Sequence, residues 1–264
     1  MLKAFRRKKL RSAPFPEPWL RIIQAQWPFY LRLPADDQRE LQGHIQIFLA
    51  EKQFEGCGGF IVEEAHKVCI AAQACLLLLH RDTDYYPDLR AILIYPSMYV
   101  VPTTRHVGGG IMQERNESRL GESWREGAVV LAWDAVSSGM TDPVNNNGHN
   151  VVLHEFAHQL DYEDGYADGA PLLGHGESIF GRKALYTEWA RVMREEYEQL
   201  RTRTLRGEPE SGVLREYGAT NPAEFFAVAT EAFFCKSRQL REQHASLYEQ
   251  MSRYYRQDPA KWHG

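Results

Sequence analysis

The alternation of apolar and polar positions changes its period near residue 85. From Ala35 to about Gln53, Leu41, Ile45, Phe48 and Leu49 recur at helical spacing. Asp36 and Asp37 stand at the start of this stretch, where a helix dipole favours negative charge. Gly56, Gly58 and Gly59 separate it from a second helix, predicted from about Glu63 to His80. That helix contains VCIAAQACLLLL, residues 68–79, the most apolar run in the chain. The run falls short of the roughly 20 residues a bilayer core requires, so it predicts a buried helix. Beyond residue 85 the pattern becomes extended. RAILIYPSMYVVP, residues 90–102, is a β-rich run ended by Pro96 and followed by a second extended piece. GAVVLAWDAV, residues 127–136, predicts another strand, with Val129 to Trp133 offering an edge to an extended peptide. Gly108 to Gly110 form a flexible loop, and SSGMTDPVNNNGHN, residues 137–150, reads as a loop ending in an N-cap. Helical period returns at residue 151, stops near Gly165, resumes from about Gly181 to Leu205, and returns from Pro222 to Cys235 with a short helix after it. The predicted fold is α+β: mainly helical, with a small sheet. Residues 1–15 form a basic flexible tail, 16–84 an all-helical N-terminal lobe, and 85–264 a second unit.

Composition narrows the function classes. The 264 residues are 44% hydrophobic and 25% charged, which supports a sizeable core and argues against wholesale disorder. A net charge of −4 gives no global attraction to nucleic acid, and no predicted helix carries a dense basic face, so direct DNA binding is not expected. The cluster Arg6, Arg7, Lys8, Lys9 and Arg11 could touch anionic lipid or nucleic acid, but a solvated end is the plainer reading. No apolar stretch of signal-peptide length follows it, and no membrane partner is expected. Cys57, Cys69, Cys75 and Cys235 are scattered and form no CxxC pair, as suits a reducing cytoplasm.

Chemistry concentrates in VVLHEFAHQLDYEDGY, residues 151–166. Residues four apart on a helix share a face, so His154 and His158 point the same way and can reach one cation. Glu155 is offset by about 100° around the helix, which sets its carboxylate beside the cation, where it can hold an attacking water. This is the geometry behind the HExxH spacing. The flanking apolar residues predict a buried helix whose polar face lines a cleft.

A catalytic zinc takes a third protein ligand. Asp164 lies six residues after His158, but Asp161 occupies the position where a sharp turn would favour glycine. His175 sits in a glycine-bounded loop with nothing evident to fix it. The distant stretch YGATNPAEFFAVATEAFF, residues 217–234, is the better source. Asn221 before Pro222 is a helix start, and Glu224 falls in the first turn. Spacing alone leaves two readings of Glu224 open, since Asn221-x-x-Glu224 is also a capping box. Glu231, two turns further on the same face, is either an alternate ligand or a partner that orients one. Tyr217 has the phenol needed to donate to an oxyanion. Asp161 could orient a ligand imidazole or simply be a helix-end carboxylate.

HEFAHQLD, YGATNPAEFFA and EAFF together resemble the Mlc titration factor A family of bacterial zinc peptidases. IYPSMYVV, VVLAW and GESWREG are similar to it as well, so the resemblance spans roughly residues 85–260 and extends more loosely into the first lobe. It implies a zincin-like fold, a gluzincin related to the anthrax lethal factor catalytic domain. It further implies one Zn2+ held by His154, His158 and Glu224, with Glu155 as general base and Tyr217 as oxyanion donor. The family is named for binding a transcriptional repressor of sugar uptake and shows aminopeptidase-like cleavage. The expectation is therefore a cytoplasmic zinc metallopeptidase acting on a peptide or protein, with a DNA-binding repressor as a possible partner. The competing expectation is a regulatory binding protein in which hydrolysis is incidental.

Overall fold

The helix carrying the His-Glu-x-x-His sequence is built into the core from every side. The computed structural model describes residues 2–97, 99–107, 111–119, 121–122, 127–141, 147–174, 178–208 and 212–262. In chain order these form α1 (Leu2–Arg11), α2 (Glu17–Gln26), α3 (Ala35–Glu51), β1 (Gln53–Gly56) and α4 (Glu64–Leu76). Then come β2 (Ala91–Tyr95), β3 (Tyr99–Val107), β4 (Ile111–Arg119), β5 (Gly121–Glu122), β6 (Ala128–Ala132), α5 (Trp133–Thr141) and α6 (Val151–Asp161). The last are α7 (Ile179–Leu205), α8 (Pro222–Cys235), α9 (Ser237–Gln243) and α10 (Ala245–Tyr255). The mainly helical α+β class predicted from the pattern is the class observed.

One sheet runs in the order β1-β2-β6-β5, with β1, β2 and β6 parallel and β5 antiparallel. Ile92 and Ile94 of β2 and Val129 and Leu131 of β6 point into the core. A separate antiparallel pair, β3 and β4, matches Tyr99 to Arg119 and Val107 to Ile111. Aromatic rings tie the layers together. Phe156 of α6 packs on Phe48 of α3 and on Tyr86, with centroids 5.7 and 4.9 Å away. Phe225, Phe226, Phe233 and Phe234 of α8 are buried, and Phe226 packs on Trp189 and Tyr254. The apolar run of residues 68–79 is buried throughout, as its composition requires.

Several elements differ from the sequence reading. Residues 2–11 form α1, where a flexible tail was expected, because specific ion pairs dock them. Arg7 grips Glu51 through Nε and Nη2 at 2.8 and 2.7 Å, and its guanidinium covers the Tyr85 ring. The helical pattern after Ala35 conceals β1, which joins the first eighty residues to the sheet through β2. The strand expected at residues 127–136 ends at Ala132, and helix follows to Thr141 where a loop was expected. Val136 and Met140 are buried at helical spacing there, and that burial overrides the turn-forming composition. β6 is not an edge strand. β2 flanks it on one side, and β5 pairs Gly121 and Glu122 with Leu131 and Val130 on the other. The glycines at 108–110 and residues 142–146 of the expected loop lie outside the described residues.

Glu40 of α3 gathers the end of the first helical layer. It accepts from His44 Nε2 at 3.2 Å and from the His80 backbone N–H at 3.0 Å. His44 in turn meets the Tyr85 hydroxyl at 2.8 Å. The hydrogen bond from His44 outweighs burial and, with the His80 amide, holds the Glu40 carboxyl down at about 2. A depressed folded-state pKa contributes stability above the ordinary glutamate range and loses it as pH falls through that range toward about 2. Glu40→Gln should therefore be less stable than the parent near neutrality, with the gap closing between about pH 4.5 and 2. Urea unfolding across that range checks this, and a gap that does not change with pH would count against it.

Candidate metal centre

Asn150 starts α6. Its side-chain oxygen accepts from Leu153 N at 3.0 Å, and its amide donates to Gln73 of α4 at 2.7 Å. Every residue of α6 is buried, so its polar groups need partners inside the protein. α8 starts in the same way: Asn221 accepts from Glu224 N at 3.0 Å, and Pro222 occupies the first turn. Only that half of a capping box forms. The Glu224 carboxylate turns the other way, across to α6.

His154 Nε2, His158 Nε2 and Glu224 Oε2 meet at one point. The separations are 3.0 Å from His154 to Glu224, 3.3 Å from His158 to Glu224 and 3.3 Å between the two imidazoles. His154 Nδ1 lies 2.8 Å from Glu231 Oε1. A carboxylate only accepts, so Nδ1 carries a proton, and a metal at the cluster would take the Nε2 lone pair. Lone pairs held this close repel unless a cation lies among them. Without a metal a proton fills this role: burial would lower the His154 pKa, but its bonds to Glu224 and Glu231 push it up to about 10. The same pairing holds Glu224 well below the usual carboxylate range despite burial. The protein is thus arranged to hold a positive charge at this spot. A tetrahedral ion with ligands at 2.0–2.1 Å needs donors about 3.3–3.4 Å apart, so two nitrogens and a carboxylate at these separations fit zinc.

Glu231 of α8 organises the surroundings. It is 1% exposed, yet it accepts from His149 Nδ1 and His154 Nδ1, each at 2.8 Å, and from the Asn150 backbone N–H at 2.6 Å. Arg215 Nη2 donates to it as well. Burial opposes its charge, but the two histidine bonds and the charges of His154 and Arg215 keep it ionised, well below the usual carboxylate range. One carboxylate thus joins α8 to the start of α6, to a ring of the cluster and to the turn that carries Tyr217.

The glucose-regulated metallopeptidase M90 family model matches residues 2–256. The chain belongs to this family. Among its relatives, an uncharacterized protein of Synechocystis sp. is 39% identical over 256 residues, covering 97% of this chain and 89% of its own. Mlc titration factor A of Cronobacter sakazakii is 28% identical over 249 residues, covering 94% and 89%. Mlc titration factor A of Klebsiella pneumoniae is 28% identical over 243 residues, covering 92% and 86%.

In this M90 chain the structure draws together the residues singled out in the sequence. His154, His158 and Glu224 form a group of potential metal-binding side chains among the described residues. Glu155 is buried beside them. Burial raises its pKa, and the charges of His154 and His158 pull the other way. Tyr217 is 51% exposed at the mouth of the site, with its ring 5.8 Å from that of His154. Partial burial, with the carboxylates of Glu224 and Glu155, pushes its phenol up to about 12, so it stays a hydrogen-bond donor at neutral pH. Asp164 is not in the cluster; its Oδ1 accepts from Tyr166 N at 3.0 Å in the turn after α6. His175 lies outside the described residues. Asp161 is fully buried and accepts from Gly169 N at 2.9 Å. Gly169 has φ +78°, and a Cβ there would sit 2.5 Å from the Pro222 carbonyl oxygen. Asp161 therefore pins the loop after α6 against the start of α8, which keeps Glu224 close to the histidines.

Sequence reasoning found Glu231 but missed His149 and Arg215. The available signal was general: an ionisable residue inside AVATEAFF must have charged partners. Spacing could not say which. If the bond between buried Glu231 and half-buried Arg215 carries the junction, Glu231→Gln and Arg215→Met should each destabilise by roughly 2 kcal/mol. The double variant should then cost well under the sum. Denaturant unfolding of the four proteins measures the coupling, and simple additivity would contradict it.

Proposed function

We propose that this chain is a zinc-dependent peptidase with aminopeptidase-like activity, in which His154, His158 and Glu224 hold the metal. The observation that carries this reading is the three-atom cluster of two imidazole nitrogens and one carboxylate oxygen at tetrahedral spacing. Membership of a metallopeptidase family supports it. Zinc, when bound, supplies Lewis acidity and brings the pKa of water close to neutrality.

The chain's own residues do the rest. Glu155 takes a proton from the attacking water and returns it to the leaving amine. Burial raises its proton affinity, which suits both halves of that transfer. The Tyr217 hydroxyl donates to the carbonyl oxygen as negative charge builds there. Glu231 holds His154 in the tautomer that leaves Nε2 free for the metal. The buried walls of α6 and α8 exclude water and strengthen each of these interactions. With β2 and β5 flanking it, β6 offers an extended substrate no free edge.

The relatives' name, Mlc titration factor A, supports a regulatory partner, a transcriptional repressor bound by this chain. We place the reaction in the cytoplasm. Among the described residues no helix is long and apolar enough to cross a membrane. A binding role with incidental hydrolysis would leave partner binding intact in a variant without activity.

Glu155→Gln should keep near-full zinc content and lose peptide hydrolysis by a factor of at least about 100. Glu224→Ala should lose much of the zinc along with activity. Tyr217→Phe should bind zinc normally and turn over slowly, by roughly 100-fold. Metal analysis paired with hydrolysis of aminoacyl and internally quenched peptides, with and without chelator, tests all three. Full activity in Glu155→Gln would refute the mechanism, and full metal and activity in Glu224→Ala would refute the ligand set.

A further inference from the structure

The chain carries a net charge of −4, yet Lys3, Arg6, Arg7, Lys8, Lys9 and Arg11 all fall within its first eleven residues. In α1 these cations divide between two faces. Lys3, Arg7 and Leu10 turn toward the body, where Lys3 meets Asp84 at 3.0 Å and Arg7 binds Glu51 and Asp84. Arg11 reaches the Tyr85 hydroxyl at 2.8 Å. The helix is therefore fixed in orientation. Its other face presents Leu2, 89% exposed, and Phe5, 72% exposed, with Lys8 and Lys9 exposed around them, while Arg6 at the border reaches the Ala50 carbonyl oxygen at 3.4 Å. Leu2, Phe5 and Lys9 follow helical spacing, so the apolar pair shares one outward surface with a cation.

A groove of about 680 Å3 opens at the foot of this helix, and Leu2 forms part of its rim. Lys3, Arg6, Lys52 and Arg90 line it, together with Glu51 and Asp84. Both of these carboxylates already face Arg7, so the lining is cationic overall. Lys52 is anchored to the Tyr86 and Leu89 carbonyl oxygens at 2.6 and 2.7 Å.

We propose that α1 is a peripheral docking surface for an anionic lipid bilayer, with Leu2 and Phe5 entering the headgroup boundary and the surrounding cations meeting lipid phosphates. Complementarity of charge selects an anionic partner. The two unsheltered apolar side chains select a bilayer over nucleic acid, whose phosphate backbone offers them nothing to enter. The groove gives a headgroup a cationic seat next to the insertion point. No described helix can span a membrane, so the contact is one along the surface. The proposal does not depend on the metal site.

The test is flotation of the full-length chain with vesicles of phosphatidylcholine alone or mixed with phosphatidylglycerol, at low and high salt. Binding should require phosphatidylglycerol and weaken with salt. Lys8→Gln with Lys9→Gln should reduce partitioning roughly thirtyfold. Leu2→Ser with Phe5→Ser should reduce it by more than roughly tenfold. These side chains are exposed, and circular dichroism should show both variants folded. Phe5→Trp adds a direct readout, a blue shift of fluorescence on mixed vesicles only. Absence of binding to mixed vesicles at low salt would overturn the proposal. So would unchanged binding by the Leu2/Phe5 variant, or retention of the chain by a DNA duplex and not by vesicles.

Discussion

Three lone-pair donors converge between two helices, and a positive charge among them is the condition that the surrounding structure serves. Two imidazoles and a carboxylate at about 3 Å in a buried site need a proton or a metal ion among them, because low dielectric magnifies each charge. The protein does not relieve the crowding by turning a side chain away. It reinforces it: Glu231 fixes the His154 proton on Nδ1, Asn221 fixes the backbone of Glu224, and Gly169 lets the loop after α6 lie against the start of α8. Such arrangements keep the donors in place for a cation before it arrives.

The helices that bring these donors together are held by contrasting means. Aromatic burial fixes their distance, through Phe156 against Phe48 and Tyr86 and through Phe226 against Trp189 and Tyr254. That packing is strong but carries little directional information. Direction comes from the polar junction at Glu231, where two imidazoles, a backbone amide and a guanidinium converge on a single carboxylate. Because Arg215 lies two residues before Tyr217, the same carboxylate also sets the turn that positions the phenol at the mouth of the site.

Much of this was legible in the sequence wherever it depended on local periodicity. The i, i+4 histidines and the Asn-Pro start at 221–222 carry their geometry within one helical turn, and the helix from Pro222 to Cys235 has the limits the pattern predicts. The apolar run at 68–79 is buried because it has nowhere else to go. The misreadings were of long-range origin. α1 looks like a tail until Glu51 and Asp84 are brought beside Arg7. β1 is too short to announce itself without β2 as its partner. β6 looks like an edge until the chain supplies β5. Whether the Glu224 carboxylate bonds back to its helix start or crosses to the histidines depends on the direction of its side chain, which no spacing encodes.

The position of the metal is the claim on which the chemistry rests. The most direct measurement is an anomalous difference map, recorded at the zinc edge from crystals of the zinc-loaded protein. One peak about 2.0–2.1 Å from His154 Nε2, His158 Nε2 and a Glu224 carboxylate oxygen is the predicted result. A peak held instead by Asp164, or zinc bound with Glu224 turned away from both imidazoles, would contradict the account.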